Sequence, residues 1–267
     1  MRNLYVTDIK RIIKDKLFLV SCILAGVFAL INPILNKVIF EAVDLGEMLG
    51  TMNAKTMMFT SFLPGDNVGL IMPILISIIV CKDFSQGTVR NKIISGKSRT
   101  KIYLSHLLSS ATVMCAVMLI HGLLTLGISL CFFSYQGGGF SAADLGYLAL
   151  SLFFEMIVYF AISAIVTLIA IISKNIGICL LLYLAVSFGF SIVGAIFTVI
   201  ATFMNPQNAF YGVIEFINAL NIYTSALIGA GTSYTAKQVI YILMSPVALS
   251  VGSTLLGLRA FEHKNLK

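Results

Sequence analysis

Long apolar runs alternate with short polar connections along this chain, and that alternation predicts the architecture. Six runs stand out, at 17–35, 67–80, 104–133, 145–172, 176–203 and 239–258. A helix of about 20 mostly apolar residues crosses a bilayer core of roughly 30 Å. The second run is short, so its helix is expected to begin nearer Ser61, with a break at Pro64-Gly65. The third would extend about 45 Å at 1.5 Å per residue, so it must tilt, bend or protrude. No stretch outside these runs is large enough for a soluble domain with its own core. The expectation is one all-α polytopic transmembrane domain over 1–267 with six spans.

Composition narrows the class further. Apolar residues make up 58% of the chain, charged residues 11%, and the mean hydropathy is +0.98. A soluble chain carries about a quarter charged residues, which excludes a pair of soluble domains. With both termini on one side, that side collects 15 of the 18 Lys and Arg residues, leaving Lys37, Lys55 and Lys237 on the other. Cations accumulate on the cytoplasmic face of membrane proteins, so both termini are expected in the cytosol. The net charge of +7 is thereby an orientation signal, and no soluble aromatic-basic surface for nucleic acid accompanies it. The first apolar run ends in Ile-Asn-Pro without a small-residue cleavage site, which favours an uncleaved first span over a signal peptide. The cysteines (22, 81, 115, 131 and 179) lie in or beside apolar runs without paired spacing, arguing for packing residues over a disulfide framework or metal cluster.

The connections carry patterns of their own. In residues 1–16, Tyr5, Ile9, Ile12 and Ile13 fall at helical spacing opposite Lys10, Arg11 and Lys14. This predicts a helix lying in the membrane surface, the alternative being a plain cationic flank. The 36–66 connection holds Glu41, Asp44, Glu47 and Asp66 and is expected outside. In the 204–237 connection, Phe210, Val213, Ile214 and Ile217 keep a helical period, and a second apolar stretch runs from Ile222 to Ile228 into Gly229-Ala230-Gly231. Two short re-entrant helices are expected there. The fifth run is rich in small residues, among them Ala185, Ser187, Gly189, Ser191, Gly194 and Ala195. Such residues let helix backbones approach closely in lipid, so this face is expected to pack on another span or on a second chain, with Ala185 and Gly189 the candidates for the latter.

Catalytic chemistry is hard to place anywhere. Ser95-Gly96-Lys97-Ser98 resembles the end of a phosphate-binding loop, but the required upstream glycine is Asn91 and no strand precedes it. The three histidines (106, 121 and 263) have no metal-ligand spacing. Neither a nucleophile motif nor a carboxylate pair occurs within one run, so no catalytic residue, metal or cofactor of its own is expected. Glu155 is the one acid inside a span; counted from the outer ends, it and His121 reach similar mid-membrane depths on neighbouring runs. The two are candidates for a pathway or gating pair, with packing the plainer alternative. A gradient-driven carrier usually has more intramembrane ionisable groups and internal repeats than this chain shows.

The loop at 82–101 carries the most specific signal. It holds six of the chain's cations against one acid. Asp83, Ser85 and Thr88 offer caps for a short helix, and Gly87 and Gly96 allow turns at its ends. Val89, Ile93 and Ile94 make an apolar stripe flanked by Arg90, Asn91 and Lys92, the composition of a protein-docking surface. A basic loop that only sets orientation and touches anionic lipid would not need the Gly-Thr and Ser-Arg framing.

The run Lys82-Asp83, Gly87-Thr88, Arg90-Asn91, Gly96 and Ser98-Arg99 resembles the loop after the second span of type-2 ABC transporter permeases. Drug, antibiotic and lantibiotic-immunity exporters belong to that class. Asp83 stands where the family more often has Glu. The layout of an amphipathic leading helix, six spans and two re-entrant helices before the last is similar as well. The resemblance implies that the loop is a coupling helix seated in a cytosolic ATPase dimer, with Asp83, Gly87, Thr88, Arg90, Asn91, Ile94, Gly96, Ser98 and Arg99 as the contact set. It implies ATP and magnesium on that partner and none on this chain. It also implies a second permease chain, identical or related, meeting this one at spans one and five in a bacterial plasma membrane. The implied substrate is amphipathic or hydrophobic and moves outward. The competing expectation is a non-transporting scaffold or sensor subunit of an immunity or signalling complex.

Overall fold

Each apolar run folds as a helix, and the computed structural model describes residues 1–42, 53–65, 67–134, 141–173, 175–205, 207–229 and 234–264. An amphipathic helix α1 (Arg2–Lys14) leads into α2 (Lys16–Ala42). There follow a short α3 (Ala54–Thr60), α4 (Asn67–Ser85), a short α5 (Thr88–Ile94) and the long α6 (Arg99–Ser129). The chain continues as α7 (Ala142–Ile172), α8 (Ile176–Phe203), the short α9 (Tyr211–Ala219) and α10 (Ile222–Gly229), and α11 (Ala236–His263). Six of these, α2, α4, α6, α7, α8 and α11, are long and apolar enough to cross a membrane. The protein is an all-α polytopic membrane protein. Asp44, Glu47, Asp66, Lys174, Ala230, Gly231 and Lys267 lie outside the described residues.

α7 is the hub of the bundle, packing on α11, α6 and α4 and, less extensively, on α10 and α8. Its buried face is lined with small side chains, Ala161, Ser163, Ala164, Thr167 and Ala170. These allow close helix approach, while Ser163 and Thr167 return their hydroxyls to carbonyls one turn back at 2.9 and 2.8 Å. Two further helix crossings depend on glycine. A Cβ on Gly257 of α11 would lie 2.3 Å from the Tyr103 hydroxyl, and one on Gly122 would lie 2.1 Å from Phe62 Cζ.

Two boundaries depart from expectation. α2 extends past the expected end at residue 35, running through Pro33 to Ala42. Pro33 cannot donate to the Ala29 carbonyl, a single lost backbone bond that a span tolerates. α4 begins at Asn67, not near Ser61, because 54–60 forms a separate helix. That helix, α3, packs against α6 and buries Met57, Met58 and Phe59, while Lys55 is also buried and pairs with Asp144 at 3.6 Å. In the later connection the two expected short helices form and meet at 91°.

Candidate functional site

α5 protrudes between the ends of α4 and α6, at the end of the bundle shared with α1 and the end of α11. Gly87 and Gly96 bracket it with φ of 74° and 81°, left-handed values that a side chain would strain. Asp83, Ser85 and Thr88 do not cap it. α4 continues through Asp83 to Ser85, and Gly87 occupies the N-cap without a side-chain hydrogen bond. The expected apolar stripe is divided. Val89 is buried in a cluster with Ile102, Tyr103 and Phe261 and Ile93 packs against that cluster, whereas Ile94 is 73% exposed. Arg90 and Asn91 are exposed with it.

The six cations of the loop divide as well. Lys82 pairs with Asp15 at 3.1 Å, and Asp15 also accepts from the Leu17 backbone at 2.9 Å where α2 starts. Lys92 reaches from α5 to Asp8 of α1 at 2.5 Å. Arg99, expected on the docking surface, is instead the first residue of α6 and turns inward. One terminal nitrogen faces the carbonyls of Phe261, Glu262 and Lys264 at 2.7, 2.7 and 2.9 Å, closing the C-terminal end of α11. Arg90, Lys97 and Lys101 make no ion pair among the described residues and are exposed.

Beneath α5 lies a buried polar cluster that periodicity did not reveal. Asp8 is 1% exposed and accepts from Lys92 and from Ser105 at 2.6 Å, with Arg11 at 3.7 Å. Arg11 also pairs with Asp83, whose carboxylate lies 3.4 Å from His106 Nδ1. The other ring nitrogen of His106 lies 3.4 Å from Lys92. The packing face of α1 is therefore Tyr5, Asp8, Ile9 and Ile12, with Arg11 reaching inward, not the purely apolar side expected. Burial alone would raise the Asp8 carboxyl. The neighbouring His106, the hydrogen bonds from Lys92 and Ser105 and the Lys92 charge outweigh burial and hold it below its ordinary value. This cluster ties α5 to α1, α4 and α6. Its lone signal in the sequence is that Asp8, Arg11 and Lys92 interrupt otherwise amphipathic helices.

Glu155 and His121 do not meet. His121 on α6 points toward α2, its Nδ1 2.9 Å from the Ala25 carbonyl. Glu155 on α7 points toward the end of α10, where a Cβ on Gly229 would lie 3.4 Å from its Oε1. Similar distance along their spans does not bring the two side chains together, because each faces a different helix. Glu155 is fully buried, and neither carboxyl oxygen has a hydrogen-bond partner among the described residues.

On α8, Ala185 and Gly189 are exposed, and a Cβ on Gly189 would touch nothing within 4 Å. Ser187 and Gly194 instead face the chain's own α9–α10 segment, through Tyr223 and Asn221. The small-residue set therefore splits between an inner and an outer face. Among the described residues no group of three metal-ligating side chains converges. Compared with known proteins, the chain matches no family model and no curated sequence.

Proposed function

We propose that this protein is the membrane-spanning subunit of an ABC exporter, coupled through α5 to a separate cytosolic ATPase dimer and paired with a second permease chain. The observation that carries this reading is the construction of α5. A seven-residue helix between two left-handed glycines presents Arg90, Asn91 and Ile94 outward. Its other side is bound to α1 and α6 through Val89 and Lys92. A free-standing basic loop would need no such anchoring. A helix that must pass a partner's displacement to the spans does, and its resemblance to the type-2 permease loop agrees. On this reading the end bearing α1, α5 and the end of α11 is cytosolic, in keeping with its cations, and ATP and magnesium reside on the partner. The substrate is amphipathic or hydrophobic.

Co-purification with the ATPase tests it. Arg90→Glu with Ile94→Ala should reduce ATPase binding at least 30-fold, the loss of one or two interface anchors, with insertion unchanged. Substrate-stimulated hydrolysis should fall in parallel. Unchanged binding and stimulation would sink the assignment. ATPase binding without any substrate stimulation in the parent would favour the scaffold or sensor reading.

A further inference from the structure

Two features on the same side of α6 include none of Arg90, Asn91 and Ile94, the outward side chains of α5. The first is a cleft of about 300 Å³ between the start of α1 and the α5–α6 turn, lined by Arg2, Asn3, Leu4, Lys97, Ser98 and Lys101 among others. It contains three cationic side chains and no acid, and none of the three makes an ion pair among the described residues. The one acid of α1, Asp8, is committed to Lys92. The second is an open apolar groove of about 420 Å³ between α6 and α7, lined by Leu108, Thr112 and Cys115 on one wall and Phe153, Ile157 and Phe160 on the other.

Helix geometry joins the two. From Lys101, steps of 7, 11 and 14 residues reach Leu108, Thr112 and Cys115. At about 100° per residue all three lie within roughly 40° of Lys101 on one stripe of α6. They also lie about 10, 16 and 21 Å further along its axis. α1 makes the same connection: Leu4 lines the cleft, and the hydroxyl of the next residue, Tyr5, hydrogen-bonds Thr112 in the groove wall at 2.9 Å. A cationic cleft at the basic end of the bundle, continued by an apolar groove toward mid-membrane, has the shape and charge of one molecule. That molecule has an anionic phosphodiester head and an acyl tail.

We propose that Arg2, Lys97 and Lys101 bind the headgroup of an anionic phospholipid whose acyl chain lies in the α6–α7 groove. Charge complementarity commits the occupant: an uncharged amphiphile would leave three cations without a counter-charge in the cleft, and a free phosphate would leave the groove unused. The lipid links Leu4 of α1 to the turn at Gly96–Ser98 and so braces the C-terminal end of α5. The proposal does not depend on what α5 docks to.

Native mass spectrometry of the full chain in detergent tests it, with phosphatidylglycerol, phosphatidylcholine and inorganic phosphate as separate probes. Phosphatidylglycerol should be retained as a stoichiometric adduct and bind at least tenfold more tightly than phosphatidylcholine. Lys97→Gln with Lys101→Gln removes two exposed cations, each worth about a factor of five at a lipid surface, so affinity should fall about 25-fold. Ile157→Trp, which fills the groove and touches no cation, should weaken phosphatidylglycerol while leaving the response to inorganic phosphate unchanged. Leu108→Phe serves the same purpose should Ile157→Trp not fold. Equal retention of the two lipids, or undiminished binding by the double variant, overturns the headgroup assignment. Inorganic phosphate competing equally well, with groove variants that bind phosphatidylglycerol as the parent does, overturns the lipid in favour of a simple phosphate site.

Discussion

Lys92 and Asp8 meet at 2.5 Å, joining the protruding α5 to the amphipathic α1 across 84 positions of sequence. Asp8 is almost wholly covered, and removing one member of a buried ion pair leaves the other charge uncompensated at a cost of about 3 kcal/mol or more. Asp8→Asn should therefore destabilise the fold by about that much in reversible unfolding in mixed micelles, and should loosen α5 first. The pH dependence has a definite sign. A carboxyl held below its ordinary 3.8 stabilises the fold above that value and ceases to do so as the pH falls through the lowered one. The parent should lose stability below about pH 4, and Asp8→Asn should flatten that acid limb. An unchanged limb in the variant would assign it to other carboxylates.

Arg99 yields a prediction opposite to the one its sequence context suggests. Since it faces the carbonyls of Phe261, Glu262 and Lys264, Arg99→Ala leaves the end of α11 uncapped. The expected cost is about 1–3 kcal/mol, with faster proteolysis beyond residue 261. Binding of the ATPase should survive far better than in Arg90→Glu. Proteolysis unchanged together with lost ATPase binding would return Arg99 to the docking surface.

What the sequence made legible follows from which interactions have a period. Six spans, the short α9 and α10 and the placement of α5 between glycines all follow from hydrophobic periodicity and turn chemistry. α3 did not, because Met57, Met58 and Phe59 are buried by tertiary packing against α6 within a connection that reads as polar overall. Arg99 and Lys92 were equally legible as cations, but which way each turns depends on acceptors 162 residues downstream in one case and 84 upstream in the other. Equal depth suggested that Glu155 and His121 meet, but depth fixes only the level along a helix. The azimuth is set by packing, which turns His121 to Ala25 and Glu155 to α10.

Gly189 tests the outer face of α8. A Cβ there would have no described atom within 4 Å, so Gly189→Leu should fold and insert as the parent does. If a second copy approaches this face, close backbone contact is lost and crosslinking between copies, through cysteines introduced beside Ala185, should drop several-fold. Gly194→Leu provides the contrast, because its Cβ would lie 3.1 Å from the Asn221 side chain and the damage should appear in the stability of the single chain. Undiminished crosslinking in Gly189→Leu would place the seam elsewhere and leave this face to lipid.

Glu155 is the sharpest test of pathway against packing. A buried carboxyl without a hydrogen bond costs the fold about 1–3 kcal/mol, so a purely structural selection would disfavour it. Glu155→Leu should accordingly stabilise the protein by roughly that amount, with the space toward Gly229 absorbing the change in shape. If Glu155 serves the transport pathway, the stabilised variant should bind ATPase normally yet lose substrate efflux, and Glu155→Gln should lose it too despite its near-identical shape. Stability is then exchanged for function at one position, as strained functional sites require. Thermal unfolding and efflux measured on the same two variants decide the matter. Normal efflux in both would confine Glu155 to packing beside α10, and a destabilised Glu155→Leu would show that the carboxyl has a partner in the membrane.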